Sequence, residues 1–65
     1  MPSARERVEQ IENETERLVA GLFLDFDFEL KGLKVKLIVE GEELGEIDSI
    51  FKFDDWVFLI EATNQ

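Results

Sequence analysis

Carboxylates are the reactive groups in which this chain is richest. Sixteen Asp and Glu stand against 7 Lys and Arg, giving a formal net charge of −9 and a pI near 4.2. There is no His and no Cys. Without Cys the chain has no disulfide framework, thiol nucleophile or thiolate metal site. Without His, Ser-His-Asp chemistry, the commonest general base and nearly every zinc site are excluded. Carboxylates without His suit hard, oxygen-seeking cations such as Mg²⁺ or Mn²⁺. A surface at −9 also repels phosphate, which excludes a purely electrostatic nucleic-acid binder. The acids that spacing can bring together are Asp48 and Glu61, with Glu46 and Glu40 beside them.

The elements expected to position those acids make a single small domain or fragment, residues 1–65, of class α+β. Ser3-Ala4-Arg5-Glu6 has capping-box spacing, and Ala4, Val8, Ile11, Thr15, Leu18, Val19 and Leu22 form one stripe at helical period. The pattern predicts a helix over 4–20, ended by Gly21. Beyond it the period changes to 2, predicting strands at about 22–30, 33–40, 46–53 and 56–63 in an antiparallel meander under the helix. Lys31-Gly32 is expected to be a two-residue turn, which sets Glu29 against Lys34 and Asp27 against Lys36. The segment 41–45 is expected to be a five-residue turn bounded by glycines. Asp54-Asp55 turns the last hairpin and pairs Phe53 with Trp56, Phe51 with Phe58 and Ser49 with Ile60.

That register sets Asp48 opposite Glu61 on the face away from the helix, with Glu46 facing Thr63 and Glu40 beside Glu46. Like charges directly across a sheet are destabilising. A divalent cation is one reason for them, since Mg²⁺ is held by one or two carboxylates plus waters and substrate phosphate. A solvated acidic edge on an acidic protein is the other. Lys52 shares this face but lies about 13 Å along the strand from Asp48. Glu12, on the shoulder of the helix stripe, reads first as a surface residue, and Ser49, on the apolar floor, is no nucleophile without His.

Gly45-Glu46-Ile47-Asp48, a hairpin, and then Trp56-Val57-Phe58-Leu59-Ile60-Glu61-Ala62-Thr63 resembles the core of the PD-(D/E)XK, or restriction-endonuclease-like, nucleases. The likeness covers roughly residues 33–63, the N-terminal half of that core. It implies metal-dependent phosphodiester hydrolysis, with Asp48 and Glu61 as the ligands of Mg²⁺ or Mn²⁺. Thr63 stands at the position of the motif Lys and carries no positive charge, which implies impaired catalysis. The alternative is a non-catalytic acidic protein-interaction module.

Partners follow from the same pattern. DNA is expected only with a metal and a partner surface to offset the charge. Ile38, Ile50, Val57 and Leu59 have nothing left in the sequence to cover them, which predicts a homodimer or a partner chain through strand 56–63. No apolar run reaches transmembrane length and no signal segment opens the chain, so the expected compartment is the cytoplasm.

Overall fold

Ser3 caps the first helix as its spacing predicts. Its Oγ accepts from the Glu6 N–H at 3.1 Å, and Glu6 Oε1 accepts from the Ser3 N–H at 3.3 Å. The computed structural model describes residues 1–61 and is α+β. Helices α1 (Ala4–Glu9) and α2 (Glu14–Asp25) precede an antiparallel sheet of β1 (Glu29–Val39), β2 (Glu42–Phe53) and β3 (Trp56–Ile60), in the order β1-β2-β3. One helix and four strands are thus corrected to two helices and, among the described residues, three strands.

The single helix over 4–20 breaks at 10–13 because a second cap competes there. Asn13 Oδ1 accepts from the Glu16 N–H at 3.0 Å and opens α2, a contact typically worth about 1 kcal/mol. Arg17 Nη1 donates to the Ile11 carbonyl at 2.8 Å, satisfying a group in the break, and Ile11 itself is buried.

The expected stop at Gly21 and strand at 22–30 are corrected together. Gly21 lies inside α2, and Arg5 passes 3.9 Å from where its Cβ would be. Arg5 then pairs with Asp25 at 2.7 Å, fastening α1 to α2. The helix ends instead at Asp25, capped by Phe26, and the chain leaves it through Asp27, whose φ of 66° is left-handed. There the Asp27 N–H donates to the Leu24 carbonyl at 3.0 Å, and the Phe28 N–H to the Phe23 carbonyl at 3.0 Å. This is the Schellman pattern, closed by its customary apolar contact, here Phe23 on Phe28.

Lys31-Gly32, expected as a turn, runs through the middle of β1. Leu30 pairs with Phe51 and Gly32 with Ile50, leaving Lys31 as the extra residue of a bulge. A side chain at Gly32 would place its Cβ 2.8 Å from Val35 Cγ2, so only glycine fits without displacement. The five-residue turn at 41–45 is likewise corrected. Val39 pairs with Glu42 across Glu40-Gly41, whose φ values of 52° and 79° are those of a tight two-residue hairpin. Leu44 is then the extra residue of a second bulge, on β2.

The last hairpin has the predicted register. Asp54-Asp55 turns it, and Ser49–Ile60, Phe51–Phe58 and Phe53–Trp56 are partners. The core lies between this sheet and the helices. Phe51 is fully buried, with Val8, Ile11 and Ala20 around it and Phe23, Leu24, Leu30, Leu33 and Ile60 against them. Complete burial of one such side chain contributes about 2–3 kcal/mol. Phe23 stacks on Phe51 at 5.0 Å, while Phe28 meets Phe53 at 5.0 Å and Phe58 at 5.3 Å. Leu18 and Leu22, assigned to the covering stripe by period, are exposed together with Phe26. The row Ala20, Phe23 and Leu24 faces the core in their place.

Candidate functional site

Strand β2 positions the first candidate acid. Ile47 pairs with Val35 and Ser49 with Leu33, and Ser49 is buried in the core row. Alternation along a strand therefore turns Glu46 and Asp48 to the other face. Asp48 is half-buried and Glu46 exposed. Among the described residues, the Ser49–Ile60 pair is the last rung between β2 and β3. One residue past it, away from the hairpin turn, stand Asp48 on β2 and Glu61 after the end of β3. Glu61 is exposed. Thr63, at the motif Lys position, lies outside the described residues, as does the Glu46–Thr63 pairing.

The acids around this pair are arranged differently from the expectation. Glu40 sits in the hairpin turn and Glu46 lies four residues along β2 from Glu42, about 13 Å away, so Glu40 does not join the group. Glu12 is exposed between the helices. The helical acid that reaches the sheet is Glu16, whose side chain is only 13% exposed and accepts from Lys34 Nζ at 2.8 Å. Spacing alone could not reveal this, because the contact forms across 18 residues of sequence. The one local signal is Asn13, whose cap places Glu16 on the first turn of α2.

Lys34 ties α2 to the acidic end of the sheet. It lies between the Leu33–Ser49 and Val35–Ile47 rungs, level with Asp48, with a left-handed φ of 54°. The hydrogen bond to Glu16 raises the Lys34 pKa above the ordinary lysine value. That gain outweighs the opposing effect of burial, and the charges of Glu16, Glu46 and Asp48 add to it. The expected Glu29–Lys34 and Asp27–Lys36 pairs are absent, because β1 pairs with β2 instead of with residues 22–30. Glu29 accepts from Lys31 Nζ at 2.8 Å, a bond that lowers its pKa, and Lys36 approaches Glu43 at 3.9 Å. Lys52 pairs in register with Glu29 and Val57, far from Asp48 as expected.

Among the described residues, no group of three or more His, Cys, Asp or Glu is arranged to hold a metal. Among the described residues, no helix is long and apolar enough to cross a membrane. No family model matches the chain, and neither does any curated protein or solved structure.

Proposed function

We propose that the chain is a divalent-metal-dependent nuclease-like core of the PD-(D/E)XK type, acting on phosphodiester bonds. The observation that carries this reading is the β2–β3 register. Its last rung, Ser49–Ile60, brings the Gly45-Glu46-Ile47-Asp48 strand beside the strand that runs into Glu61. In this reading Asp48 and Glu61 would hold Mg²⁺ or Mn²⁺, and a cation held there would supply Lewis-acid chemistry to a phosphate and its attacking water. Lys34 keeps an ammonium in the field of Glu46 and Asp48, so part of their mutual repulsion is offset before any cation binds. The −9 charge makes DNA a substrate only with metal bound and a partner surface to receive the backbone. Thr63 replaces the ammonium of the motif Lys, so turnover is weak or lost.

The second reading, a non-catalytic acidic interaction module, is favoured by the apolar surface. Trp56, Val57 and Leu59 on β3 and Leu18, Leu22 and Phe26 near α2 are all exposed. A phosphodiesterase assay on single- and double-stranded DNA with Mg²⁺ or Mn²⁺ separates the two. The nuclease reading expects metal-dependent cleavage, raised by Thr63→Lys and abolished by Asp48→Asn. No cleavage by the wild type or Thr63→Lys, with either cation, leaves the interaction module.

A further inference from the structure

The helix layer stops short of the 53–56 end of the sheet. Phe51, beneath the helices, is fully buried, yet Phe53 two residues on is 49% exposed and its cross-strand partner Trp56 70%. An apolar strip begins there and runs back to the end of α2. Phe53 meets the Phe28 ring, and Phe28 joins Leu22, Phe23 and Phe26 in lining a wholly apolar cavity of about 270 Å³. Leu22 and Phe26 are themselves 56% and 69% exposed. Continuous apolar surface inside a polar rim marks an interaction site.

The rim of this strip is made of carboxylates. Asp25 and Asp27 flank Phe26, Glu29 follows Phe28, and Asp54 and Asp55 connect Phe53 to Trp56; all five are exposed. Arg5 holds Asp25 and Lys31 holds Glu29. Among the described residues, no cation pairs with Asp27, Asp54 or Asp55. Lys52 adjoins Phe53 in sequence, but alternation along β2 turns it to the other face. By contrast, exposed Leu37 adjoins Lys36, Val57 stands across the hairpin from Lys52, and Leu18 adjoins Arg17. Charge and shape together select the occupant. An anionic membrane or a nucleic acid meets repulsion at this rim, and so does a second copy at −9. A cationic segment gains from it. The strip is a face and not a strand edge, so its occupant has to satisfy its own backbone, as a helix does. It also lies alongside α2, where a two-layer fold takes a further helix.

We propose that the strip from Leu22 and Phe26 to Phe53 and Trp56 is the docking site for a basic amphipathic helix of another protein. Apolar side chains at i and i+4 on that helix enter the cavity and pack on Trp56, while its Lys or Arg side chains meet Asp27, Asp54 and Asp55. The assignment is independent of whether Asp48 and Glu61 hold a cation.

Trp56 is the chain's single tryptophan, so its fluorescence reports on the site directly. The probe is a Trp-free synthetic peptide of about 18 residues, five helical turns, with Leu on one face and Lys on the other. Titrated into the full chain at low salt, it should shift Trp56 emission to the blue and saturate in the micromolar range. Phe26→Ala should weaken binding about tenfold. Asp54→Asn/Asp55→Asn should do the same, and Asn tolerates the left-handed φ of 55° at position 54, so the hairpin persists. Glu42→Gln/Glu43→Gln removes the same charge at the far end of the β1–β2 hairpin and should leave the affinity unchanged. The same peptide with Glu in place of Lys should not bind. Absence of a blue shift overturns the proposal. Equal weakening by the two charge-removing pairs overturns it too, because the attraction would then belong to the whole acidic chain. A blue shift with the acidic peptide, with anionic vesicles or on concentrating the chain alone would assign the strip to an occupant of other chemistry, and overturns it likewise.

Discussion

Phe23 and Phe28 meet edge to face, ring centroids 4.9 Å apart, across the left-handed residue where α2 becomes β1. The same two residues share a backbone hydrogen bond of 3.0 Å. One ring then stacks on Phe51 and the other reaches Phe53 and Phe58, so a helix terminator also joins the helix layer to all the aromatic rows of the sheet. Phe28→Ala removes three ring contacts at once. The expected loss is about 3 kcal/mol, a large fraction of the stability of so small a domain. Urea unfolding measures it, and a loss below about 1 kcal/mol would show that the ring cluster is not the centre of the fold.

Asp27 adopts its left-handed conformation at a steric cost that glycine does not bear. Asp27→Gly should therefore leave the fold unchanged and raise stability by about 0.5–1 kcal/mol. Thermal unfolding of the two chains in one buffer makes the comparison, and a drop in Tm would mean that the carboxylate has a structural task of its own.

Gly32 and Gly45 are both in strands, yet their surroundings differ. Gly32→Ala sets a methyl group 2.8 Å from Val35 Cγ2, whereas a methyl at Gly45 meets nothing within 4 Å. Overpacking of this kind costs about 1–3 kcal/mol, and the change at Gly45 should stay within about 0.5 kcal/mol. Equal effects in denaturant titrations would contradict the close approach at the β1 bulge.

The Lys34–Glu16 bond carries a pH signature. The folded-state pKa of Lys34 lies above its unfolded value, so its stabilising contribution is complete below the ordinary lysine range. It is lost as pH rises through the raised folded value, above about pH 10. Urea midpoints between about pH 8 and 11 should fall more steeply for the wild type than for Lys34→Met. Parallel curves would remove the bond from any role in stability.

Cation binding at Asp48 and Glu61 is testable without turnover. At a Mg²⁺ or Mn²⁺ concentration ten times the Kd, the folded state should gain about 1.4 kcal/mol by mass action. Asp48→Asn should abolish the resulting Tm shift. The same shift in both proteins would place the cation elsewhere.

How much of this was legible in the sequence depended on whether one periodicity stood alone. The Asp54-Asp55 hairpin did: alternation on both sides of a two-residue turn left a single register, and the structure has it. Residues 18–28 satisfied two periods at once. Leu22, Leu24, Phe26 and Phe28 alternate as a strand would, while Ala20, Phe23 and Leu24 fit the helix that burial against Phe51 selects. At Lys31-Gly32 the alternation changes phase, and a turn and a bulge produce the same change; only pairing with β2 decides between them. For the site, the positions of Asp48 and Glu61 beside the last rung followed from that unambiguous hairpin. Glu16 did not, because its approach to Lys34 depends on how α2 crosses the sheet.

The bulges at Lys31 and Leu44 sit on opposite strands of the long β1–β2 hairpin, and each adds right-handed twist where it occurs. Fibrils grow from flat ribbons whose faces can nest against identical copies without limit. Trp56–Ile60 has the composition of such a ribbon, but it is laid along a sheet that two bulges coil. Each added layer would have to flatten that coil, and bring another nine negative charges with it.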